Sequence, residues 1–495
     1  MRGRIVLGTI GTIVKFFSLP LLIPIIAAFY FSEPTLFTFY SVDIPLNAVI
    51  FLLCSILTLI VGLFLEKIGS TEDFTDKEGF AIVSGGWLFV TFFAALPFML
   101  TKSLTTFPDA YFEAMSGLTT TGATVLSYPL ENHFQSVLLW RALLQWVGGM
   151  GIIVLSVAVL SRLTHGGRKL IESEAPGPSM HKLKPTIMQT AKLLWLVYVF
   201  FTVAEIVALK AVGVPLYESI YHAFTTLSTG GFSVHTSSIA HYSPIVHWII
   251  MFFMIIAGTN FTLHYYAIHG KKGSYRKDPE FKMYLSVIAI VVSLIGFDLI
   301  MNGYGMLEGV RNAIFQAVSI ITTTGYATAN YDAWSSFSRF LILILMFIGG
   351  CAGSTSGAMK QVRILLMLKM LKKKLHQILH PNAVIPVRLG KSIVDDRTLQ
   401  TITMFFFAYI LIFIVSTAAM LAMGLDLISG ASAVASCLGN IGPALGIVGP
   451  NHSYAAIPSF GKIWLTVCMW LGRLEIFTAL ILLVPTTYKR ETFLE

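Results

Sequence analysis

The segment Met115–Val125 (MSGLTTTGATV) is a run of hydroxyl side chains that ends at a glycine, Gly122. It stands in a chain too apolar to be soluble, so its neighbours are expected to be membrane helices. Non-helical backbone persists at membrane depth only where protein shelters it or where it lines a water-filled cavity. A glycine leaves adjacent carbonyl oxygens uncrowded, and such oxygens can replace the water shell of a cation. The segment therefore predicts a cation-binding loop between two membrane helices.

The same pattern returns three times along the chain. The further copies are Thr226–Ser233 (TLSTGGFS), Ile321–Thr328 (ITTTGYAT) and a diverged Leu438–Gly446 (LGNIGPALG). The central glycines of the four copies are read as Gly122, Gly230, Gly325 and Gly442. They lie on the order of 100 residues apart, which is enough for a helix, a re-entrant segment and a second helix at about 20 residues per crossing. Four imperfect copies of one unit indicate an internal repeat.

The composition excludes most classes of soluble protein. Hydrophobic residues make up 55% of the 495 residues, charged residues only 12%, and the mean hydropathy is +0.76. The net charge of +9 comes from basic residues in short loops between apolar runs. That distribution is typical of the cytoplasmic loops of a membrane protein and not of a nucleic-acid-binding face. The cysteines lack CxxC spacing and predict neither a zinc site nor a disulfide framework: Cys54, Cys351, Cys437 and Cys468.

The predicted fold is an all-α polytopic membrane protein with four pseudo-fourfold helix–re-entrant loop–helix repeats around one central pore. Two extra transmembrane helices precede the repeats, at 5–31 and 44–65, and Pro20 and Pro24 are expected to bend the first. The predicted divisions are the two N-terminal helices over 1–70 and then repeats over 71–165, 166–272, 273–380 and 381–495.

Each repeat is expected to contain two crossing helices and one re-entrant helix. The predicted crossings are 79–100, 135–161, 191–211, 244–268, 281–301, 338–370, 398–424 and 460–485. The predicted re-entrant helices are 109–118, 216–227, 307–320 and 427–437. Ten crossings place both termini on the side of the basic loops, such as those within 162–192 and 271–277, and this side is expected to be cytoplasmic.

A dense run of small residues interrupts the predicted crossing at 338–370. The run Gly349–Lys360 (GGCAGSTSGAMK) holds too many glycines, serines and threonines to continue a rigid helix. One interpretation is a broken helix that plugs a pore beneath the repeated loops and swings aside. The other is close helix packing through small residues, which is common in membranes. The residues alone leave both interpretations open.

Arg473 stands deep in the last apolar crossing, where an arginine must face water or a partner. Glu475 lies two residues on, points elsewhere on a helix and is a poor partner. Carbonyl oxygens of the small-residue run are an alternative partner. Glu113 and Glu205 also lie in apolar segments, and we interpret them as capping or packing groups and not as ion ligands.

The four loop motifs, together with Gly349–Lys360 and Gly472–Phe477 (GRLEIF), resemble the Trk/Ktr/HKT superfamily of cation transporters. With its two extra N-terminal helices, the chain is similar to the TrkH/TrkG type of potassium uptake protein within that superfamily. The resemblance covers nearly all of the chain after its first helix. It implies a selectivity filter of backbone carbonyls, and glycine in all four filter positions implies a preference for potassium.

The resemblance implies two groups of site residues. The filter group is Thr120, Thr121, Gly122, Ser228, Thr229, Gly230, Thr323, Thr324, Gly325, Asn440, Ile441 and Gly442. In the fourth copy, Asn440 and Ile441 replace hydroxyl residues, so only the backbone is expected to act there. The gating group is an intramembrane loop over 349–360 with an arginine that opposes cations: Gly349, Gly350, Gly353, Ser354, Thr355, Ser356, Gly357, Lys360 and Arg473.

The resemblance also implies partners and a location. It implies a homodimer in the bacterial inner membrane, controlled by a cytosolic TrkA-like nucleotide-binding ring. The chain has no GxGxxG motif after a strand, so nucleotide control is expected from another polypeptide and no cofactor is expected in this chain. A basic run is either a lipid-facing anchor or a docking surface for that subunit: Lys369, Lys372, Lys373 and Lys374.

Two transport mechanisms stay open at the level of sequence. One is channel-like potassium uptake gated at 349–360, and the other is sodium- or proton-coupled potassium symport through the same pore. A membrane-embedded enzyme would need clustered metal-ligating or acid–base side chains. His264 and His269 lie at a cytoplasmic helix end without a carboxylate nearby in sequence, so the chain is predicted not to be an enzyme.

Overall fold

Most of the described chain is helical. In this computed structural model the described residues are 2–39, 42–70, 74–162, 187–271, 273–390 and 392–483. Among these residues, six helices are long and apolar enough to cross a membrane, or seven if one bent pair counts as a single span. The basic loop predicted within 162–192 lies mostly outside the described residues. The chain is therefore a multi-pass helical membrane protein, as predicted.

The N-terminal unit consists of α1 (Gly3–Phe17), α2 (Ile23–Tyr30), a hairpin of β1 (Thr35–Phe39) and β2 (Val42–Pro45), and α3 (Leu46–Ile68). A 3-10 turn over Pro20–Leu22 separates α1 from α2, at the prolines that were expected to bend this segment. Helices α1 and α3 pack closely at glycines: a Cβ at Gly11 would lie 2.5 Å from the backbone nitrogen of Glu66.

The predicted order of crossing and re-entrant helices is present in all four repeats. The first has α4 (Asp76–Leu100), α5 (Phe107–Leu118) and α6 (Gln135–Arg162). The second has α7 (Ile187–Ala211), α8 (Leu216–Leu227), α9 (Pro244–Ala257) and α10 (Phe261–Ile268). After α11 (Ser274–Lys277), the third has α12 (Pro279–Met301), α13 (Met306–Ile321), α14 (Ser336–Leu345) and α15 (Gln361–Leu379). After β3 (Arg388–Leu389) and β4 (Ser392–Ile393), the fourth has α16 (Asp396–Ala422), α17 (Leu427–Gly439), α18 (Ser459–Arg473) and α19 (Phe477–Leu480).

Local capping explains where several of these helices begin. Thr75 and Glu78 form a capping box at the start of α4. The Asp278 carboxylate accepts from the Phe281 N–H at 2.8 Å, and Pro279 occupies the first position of α12. A side-chain oxygen at the helix start satisfies a backbone donor that has no partner within the helix. The first residues of α4 and α12 are therefore determined by capping side chains close by in sequence.

Three of the predicted crossings are interrupted. The sequence predicted two of them as continuous helices and one as a broken helix. The predicted crossing at 244–268 is two helices, α9 and α10, which meet at 101° around Gly258 and Asn260. The predicted break near 349–357 is confirmed, and it extends over residues 346–360 between α14 and α15. The predicted crossing at 460–485 ends at Arg473, because Glu475 and Ile476 have φ of +60° and +49°. Among the second crossings of the four repeats, as far as the structure describes them, only α6 is one continuous helix.

The four re-entrant helices form the centre of the molecule. In α17, for example, every residue from Ser432 to Gly439 is buried, and most are Ala, Ser or Gly. The small side chains allow neighbouring helices to approach closely without a thick layer of large residues. The backbone that follows each re-entrant helix is thereby brought to the molecular centre.

Candidate functional site

The loops that follow the re-entrant helices share one backbone conformation. We call them the ring loops: Thr119–Gly122, Ser228–Gly231, Thr322–Gly325 and Gly439–Gly442. The second residue of each has a φ of +53° to +58°: Thr120, Thr229, Thr323 and Asn440. The fourth is a glycine with a φ between +73° and +106°: Gly122, Gly231, Gly325 and Gly442. Left-handed angles at matching positions show that the four loops are structural equivalents.

Hydrogen bonds to the re-entrant helices confirm this register. The third residue of each ring loop donates its N–H to a carbonyl five residues earlier: Thr121 to Ser116 at 2.8 Å, Gly230 to Thr225 at 2.8 Å, Thr324 to Ser319 at 2.9 Å, and Ile441 to Ser436 at 2.9 Å. Gly230 is thus the counterpart of Thr121, and Gly231 is the counterpart of Gly122. The register read from the sequence, which matched Gly230 with Gly122, is shifted by one residue because the second copy has two successive glycines.

The four ring loops close into a ring. A Cβ added to each left-handed glycine would collide with the carbonyl of the next loop: Gly122 with the oxygen of Gly230 at 2.1 Å, Gly231 with that of Thr324 at 1.7 Å, Gly325 with that of Ile441 at 1.9 Å, and Gly442 with that of Thr121 at 2.7 Å. Each loop therefore meets its successor and the last meets the first. Glycine is required at these positions by both the backbone angle and the approach.

Hydroxyl groups tie the ring loops to their own helices. Thr119 Oγ1 donates to the Met115 carbonyl and lies 2.7 Å from Thr121 Oγ1. Thr322 and Thr324 make the same contact at 2.8 Å in the third repeat. These bonds hold the loops at the ends of the helices from which they emerge. The threonine side chains at these positions therefore brace the backbone.

The fourth ring loop departs from the sequence-based expectation. The Asn440 side chain, and not only the backbone, takes part, because its Nδ2 donates to Thr121 Oγ1 and to the Met469 carbonyl, both at 3.0 Å. The amide thus joins the fourth loop to the first and to α18. Asn440 replaces a threonine hydroxyl with a longer side chain that reaches two neighbours.

Gln145, on α6, holds the second ring loop and was missed in the sequence. Its Nε2 donates to the Gly230 carbonyl at 2.7 Å, and its Oε1 accepts from the Phe232 N–H at 3.2 Å. Gln145 is fully buried. A buried polar side chain in an apolar helix is the signal that could have found it, since such a group requires partners.

One helical turn earlier on α6, Arg141 forms a buried ion pair with Glu113 of α5, with Nε 2.7 Å from Oε1. The Glu113 carboxylate also accepts from the Val125 N–H at 2.8 Å, and the guanidinium lies 3.9 Å over the Phe232 ring. The pair therefore braces the backbone just beyond the first two ring loops. This confirms the interpretation of Glu113 as a packing partner.

Glu205, on α7, differs from Glu113. It is fully buried, and neither carboxylate oxygen has a hydrogen-bond partner among the described residues. Its side chain lies beside Thr226 of α8. The structure places it behind the second re-entrant helix and not in the ring.

The segment between α14 and α15, residues 346–360, lies against one side of the ring, and we call it the inner loop. Thr355 Oγ1 donates to the carbonyl of Leu227, the last residue of α8, at 3.0 Å. The Gly357 N–H donates to Thr323 Oγ1 at 2.7 Å, and a Cβ at Gly357 would lie 2.3 Å from the Gly439 carbonyl. The inner loop thus contacts the ends of three re-entrant helices. We define its side of the ring as inner and the opposite side as outer.

Charged side chains hold the inner loop from several directions. Arg473 donates to the Thr355 carbonyl at 2.8 Å, which is the alternative partner considered from the sequence. Lys360 donates to the Ser356 carbonyl, and the Glu280 carboxylate of α12 accepts from the Ala352 N–H at 2.6 Å. These contacts bring Lys360, Arg473 and the small residues of the gating group into one cluster.

Glu475 is not the partner of Arg473, as expected from their spacing. It pairs with Arg363 of α15, whose guanidinium also lies 3.9 Å over the Phe405 ring. The break that ends α18 is therefore tied to the helix that follows the inner loop. Two interrupted crossings are joined by one ion pair.

On the outer side, a small cavity of about 50 Å³ opens above the ring. Its floor includes Gly122, Gly231 and Gly325, and its walls include Tyr128, His235 and other side chains of the outer loops. The re-entrant helices end at the ring, and the carboxyl end of a helix carries partial negative charge. A ring of carbonyls beneath such a cavity suits a cation.

The chain is similar to known proteins along most of its length. A family model described as TrkH, cation transport protein, matches residues 47–488. The Trk system potassium uptake protein TrkH of Salmonella typhimurium (strain LT2) is 42% identical over 422 residues, which cover 84% of this chain and 86% of that protein. TrkH of Halomonas elongata is 36% identical over 498 residues, covering 99% and 100%.

The crystal structure of the potassium transporter TrkH from Vibrio parahaemolyticus matches with a TM-score of 0.88 at 34% identity, covering 99% of this chain and 100% of that one. This likeness and the family match confirm the predicted fold class. They also agree with the expectation that the chain is a transport protein and not an enzyme. The family model spans most of the chain, and the relatives share over 30% identity along nearly its full length. The chain therefore belongs to the TrkH family of cation transport proteins.

Proposed function

We propose that this protein takes up potassium ions through the ring, which acts as a selectivity filter. The closed ring of four glycine-containing loops carries the proposal, because it gathers backbone carbonyls from all four repeats around one point. The names of its relatives support it, since those proteins are called potassium uptake proteins. The filter group then comprises the predicted residues together with Gly231.

Replacement of the hydration shell is the physical task of such a filter. A cation leaves water only where protein oxygens compensate for the loss, and carbonyl dipoles in a ring meet that need. Two buried oxygens at the second position of the ring loops, Thr120 Oγ1 and Asn440 Oδ1, have no hydrogen-bond partner among the described residues. Buried polar atoms of this kind call for a partner. A partly hydrated potassium ion at the inner end of the ring would supply one.

The inner loop is proposed as the gate. Its contacts with the ends of α8, α13 and α17 support this role, because an ion that leaves the ring on the inner side would meet this loop. Arg473 and Lys360 add positive charge there, and positive charge opposes a cation. Movement of this loop would open the path, and a cytosolic nucleotide-binding subunit would control that movement.

The proposal extends to the assembly and the location of the protein, and family membership supports it. The proposed functional unit is a homodimer in the bacterial inner membrane, with both termini cytoplasmic and a TrkA-like nucleotide-binding ring beneath. The exposed lysines of α15, such as Lys372 and Lys374, supply a surface for such a partner. Neither a nucleic acid nor an enzyme cofactor enters this proposal.

The direct test is potassium-limited growth of an uptake-deficient bacterial strain that expresses this chain with a cognate cytosolic regulator. Rescue is expected from the parent chain and not from Gly122→Asp, Gly231→Asp or Gly325→Asp. Gly305→Asp is the matched control, because a Cβ at Gly305 meets nothing within 4 Å and aspartate suits this helix start. Rescue by the three ring variants at normal protein levels would contradict the filter assignment.

Symport of potassium with sodium or protons would use the same ring. In proteoliposomes, channel-like flux reverses at the potassium equilibrium potential whatever the sodium or proton gradient. A reversal potential that shifts with either gradient would favour the coupled mechanism instead.

A further inference from the structure

His235 lies in the outer loop after the second ring loop, between carboxylates from two repeats. Its Nδ1 is 3.3 Å from Oε1 of Glu131, which stands on a 3-10 turn of the first repeat. Its Nε2 is 3.7 Å from Oε2 of Glu218, in the first turn of α8. The His235 side chain is only 14% exposed. One imidazole thus bridges two acidic groups of different repeats.

The bridge is complete only when the imidazole carries a proton on both nitrogens. A neutral imidazole donates from one nitrogen and presents a lone pair from the other. In the neutral form, one carboxylate would therefore face a lone pair at close range. The nearby Glu218 carboxylate and then Glu131 raise the pKa of His235 above its ordinary value of 6.5.

Neutral donors hold both carboxylates in place. Glu131 accepts from the N–H of Thr236 at 3.0 Å and from its hydroxyl at 2.8 Å. Glu218 accepts from the Tyr242 hydroxyl at 2.7 Å. The two carboxylates therefore stay in position when His235 loses its proton. Deprotonation changes the net charge of the cluster and not its geometry.

Few other charged groups face His235. The His241 ring stacks on it with centroids 3.7 Å apart, and the Tyr242 ring meets it edge-on at 5.5 Å. The titratable and charged groups that pack against His235, interact with it electrostatically or share its cavity are Glu131, Glu218, His222, His241, Tyr242, Tyr128, Tyr454, Arg141 and His452. Arg141 is already paired with Glu113, so the two carboxylates and His235 dominate the charge of this wall.

This cluster stands at the outer mouth of the ring, where His235 lines the same cavity as Gly122, Gly231 and Gly325. A cation approaching the ring from the outer side passes this cavity. The local concentration of cations depends on the charge of the walls they pass. The protonation of His235 thus alters the first surface that the cation meets.

We propose that His235 is an external proton-binding site whose occupancy controls the access of cations to the ring. The proposal rests on the proposed function of the ring as a potassium path. With the proton bound, one positive charge offsets part of the charge of Glu131 and Glu218. Without it, both carboxylates act unopposed on the arriving cation.

The sign follows from the direction of the pKa shift. His235 is protonated below its raised pKa and loses its charge as the external pH rises through it. Potassium should therefore be captured better at alkaline external pH. A single charge at the mouth should change the apparent KM for potassium on the order of threefold, with little change in maximal rate. High ionic strength should weaken the effect.

The test measures initial rates of potassium uptake into proteoliposomes that hold the full protein, with internal pH fixed and external pH varied from about 5.5 to 8.5. The parent should show an apparent KM that falls as external pH rises. His235→Gln should show a low KM at every pH, and His235→Lys, which keeps a fixed charge, a high KM at every pH. His452→Gln is the matched control and should keep the parent profile, because it removes a histidine of the same cavity outside the carboxylate bridge.

The outcomes separate the two proposals. Uptake with a KM that is flat across pH in the parent, or with the same pH profile in the parent and in His235→Gln, would overturn the role of His235 and leave the filter intact. An altered profile in His452→Gln with an unaltered one in His235→Gln would also overturn it. Absence of potassium uptake by the parent at all pH values would instead refute the proposed function, and this inference with it.

Discussion

Among single residues, Gly231 and Gly230 have different tasks although they are chemically identical. Gly231 has a φ of +73°, and a Cβ there would lie 1.7 Å from the Thr324 carbonyl. The three atoms nearest to a Cβ at Gly230 all belong to the Gln145 side chain, the first at 2.3 Å. That side chain can move at the expense of its two hydrogen bonds, whereas the backbone of the neighbouring loop is fixed by the ring.

Gly231→Ala should therefore lower potassium uptake by more than about tenfold, since it adds both backbone strain and a collision within the ring. Gly230→Ala should retain a larger part of the uptake. Rubidium uptake rates, normalised to protein in the membrane, provide the comparison. Equal losses in the two variants, or a larger loss for Gly230→Ala, would contradict the register of the second ring loop.

Gln145 offers a second prediction at this scale. Gln145→Leu removes the donor to the Gly230 carbonyl and the acceptor for the Phe232 N–H, so two buried backbone groups lose their partners. We expect a loss of about 1–3 kcal/mol in stability and weaker discrimination of potassium from sodium. Thermal unfolding in detergent and competitive uptake of the two ions measure these effects.

The same substitution at Gln361 is the control for Gln145. Gln361 Nε2 donates to the Gly349 carbonyl in the inner loop, at 2.9 Å, and not to a ring loop. Gln361→Leu should lower stability without a change in ion discrimination. A loss of discrimination in Gln361→Leu alone would contradict the assigned role of Gln145.

Among the structural elements, the crossing and re-entrant helices could be predicted from the sequence, because each is an apolar run bounded by polar or glycine residues. The break at 346–360 was also predictable, since several glycines stand close together there. The breaks at Gly258 and Glu475 were not, because one glycine or none marks them. Those breaks depend on contacts distant in sequence, such as the Cys351 N–H donating to the Gly258 carbonyl at 2.9 Å.

The inner loop supports a prediction about the element as a whole. Thr355→Val keeps the shape of the side chain but removes the hydroxyl that donates to the Leu227 carbonyl. Loss of one such bond should favour displacement of the loop by about 1 kcal/mol, or roughly fivefold in population. Basal potassium flux without the regulator should rise by a similar factor, as measured in proteoliposomes.

Ser335→Ala is a matched control for Thr355→Val, because the Ser335 hydroxyl donates to Asp298 at 2.5 Å on the outer side of α12, away from the inner loop. It should leave basal flux unchanged. If Thr355→Val lowered basal flux while its protein level stayed normal, the loop would promote conduction and not block it.

For the whole molecule, composition and repeats predicted a membrane protein with four repeats. They did not predict which side chains hold the ring loops in place. The first two loops depend on Arg141 and Gln145 of α6, and the fourth depends on Asn440. Pairing of residues so far apart in sequence is set by the closure of the fold. A single sequence shows that such polar residues are buried in apolar helices but not which partners they find.

The proposed regulator gives a prediction at this scale. Lys372 and Lys374 are exposed on α15, directly after the inner loop. Lys372→Glu with Lys374→Glu should reduce the stimulation of uptake by the co-expressed nucleotide-binding subunit several-fold and leave basal uptake unchanged. Charge reversal weakens a docking surface of complementary charge.

Lys277→Glu, at the end of α11, is the control for the lysine pair, since it alters another basic segment. Stimulation should persist in that variant. Full stimulation of the double variant would exclude these two lysines from the docking surface and favour their role as an anchor to lipid.

The continuous helix α6 distinguishes the first repeat from the other three repeats around the ring. Within the described residues, the second crossings of three repeats are broken at similar places, whereas α6, which carries Arg141 and Gln145, is one continuous helix. The second, third and fourth repeats each have a break in this crossing, and the first repeat does not. Opening of the proposed gate should therefore displace these three repeats and leave the first repeat in place.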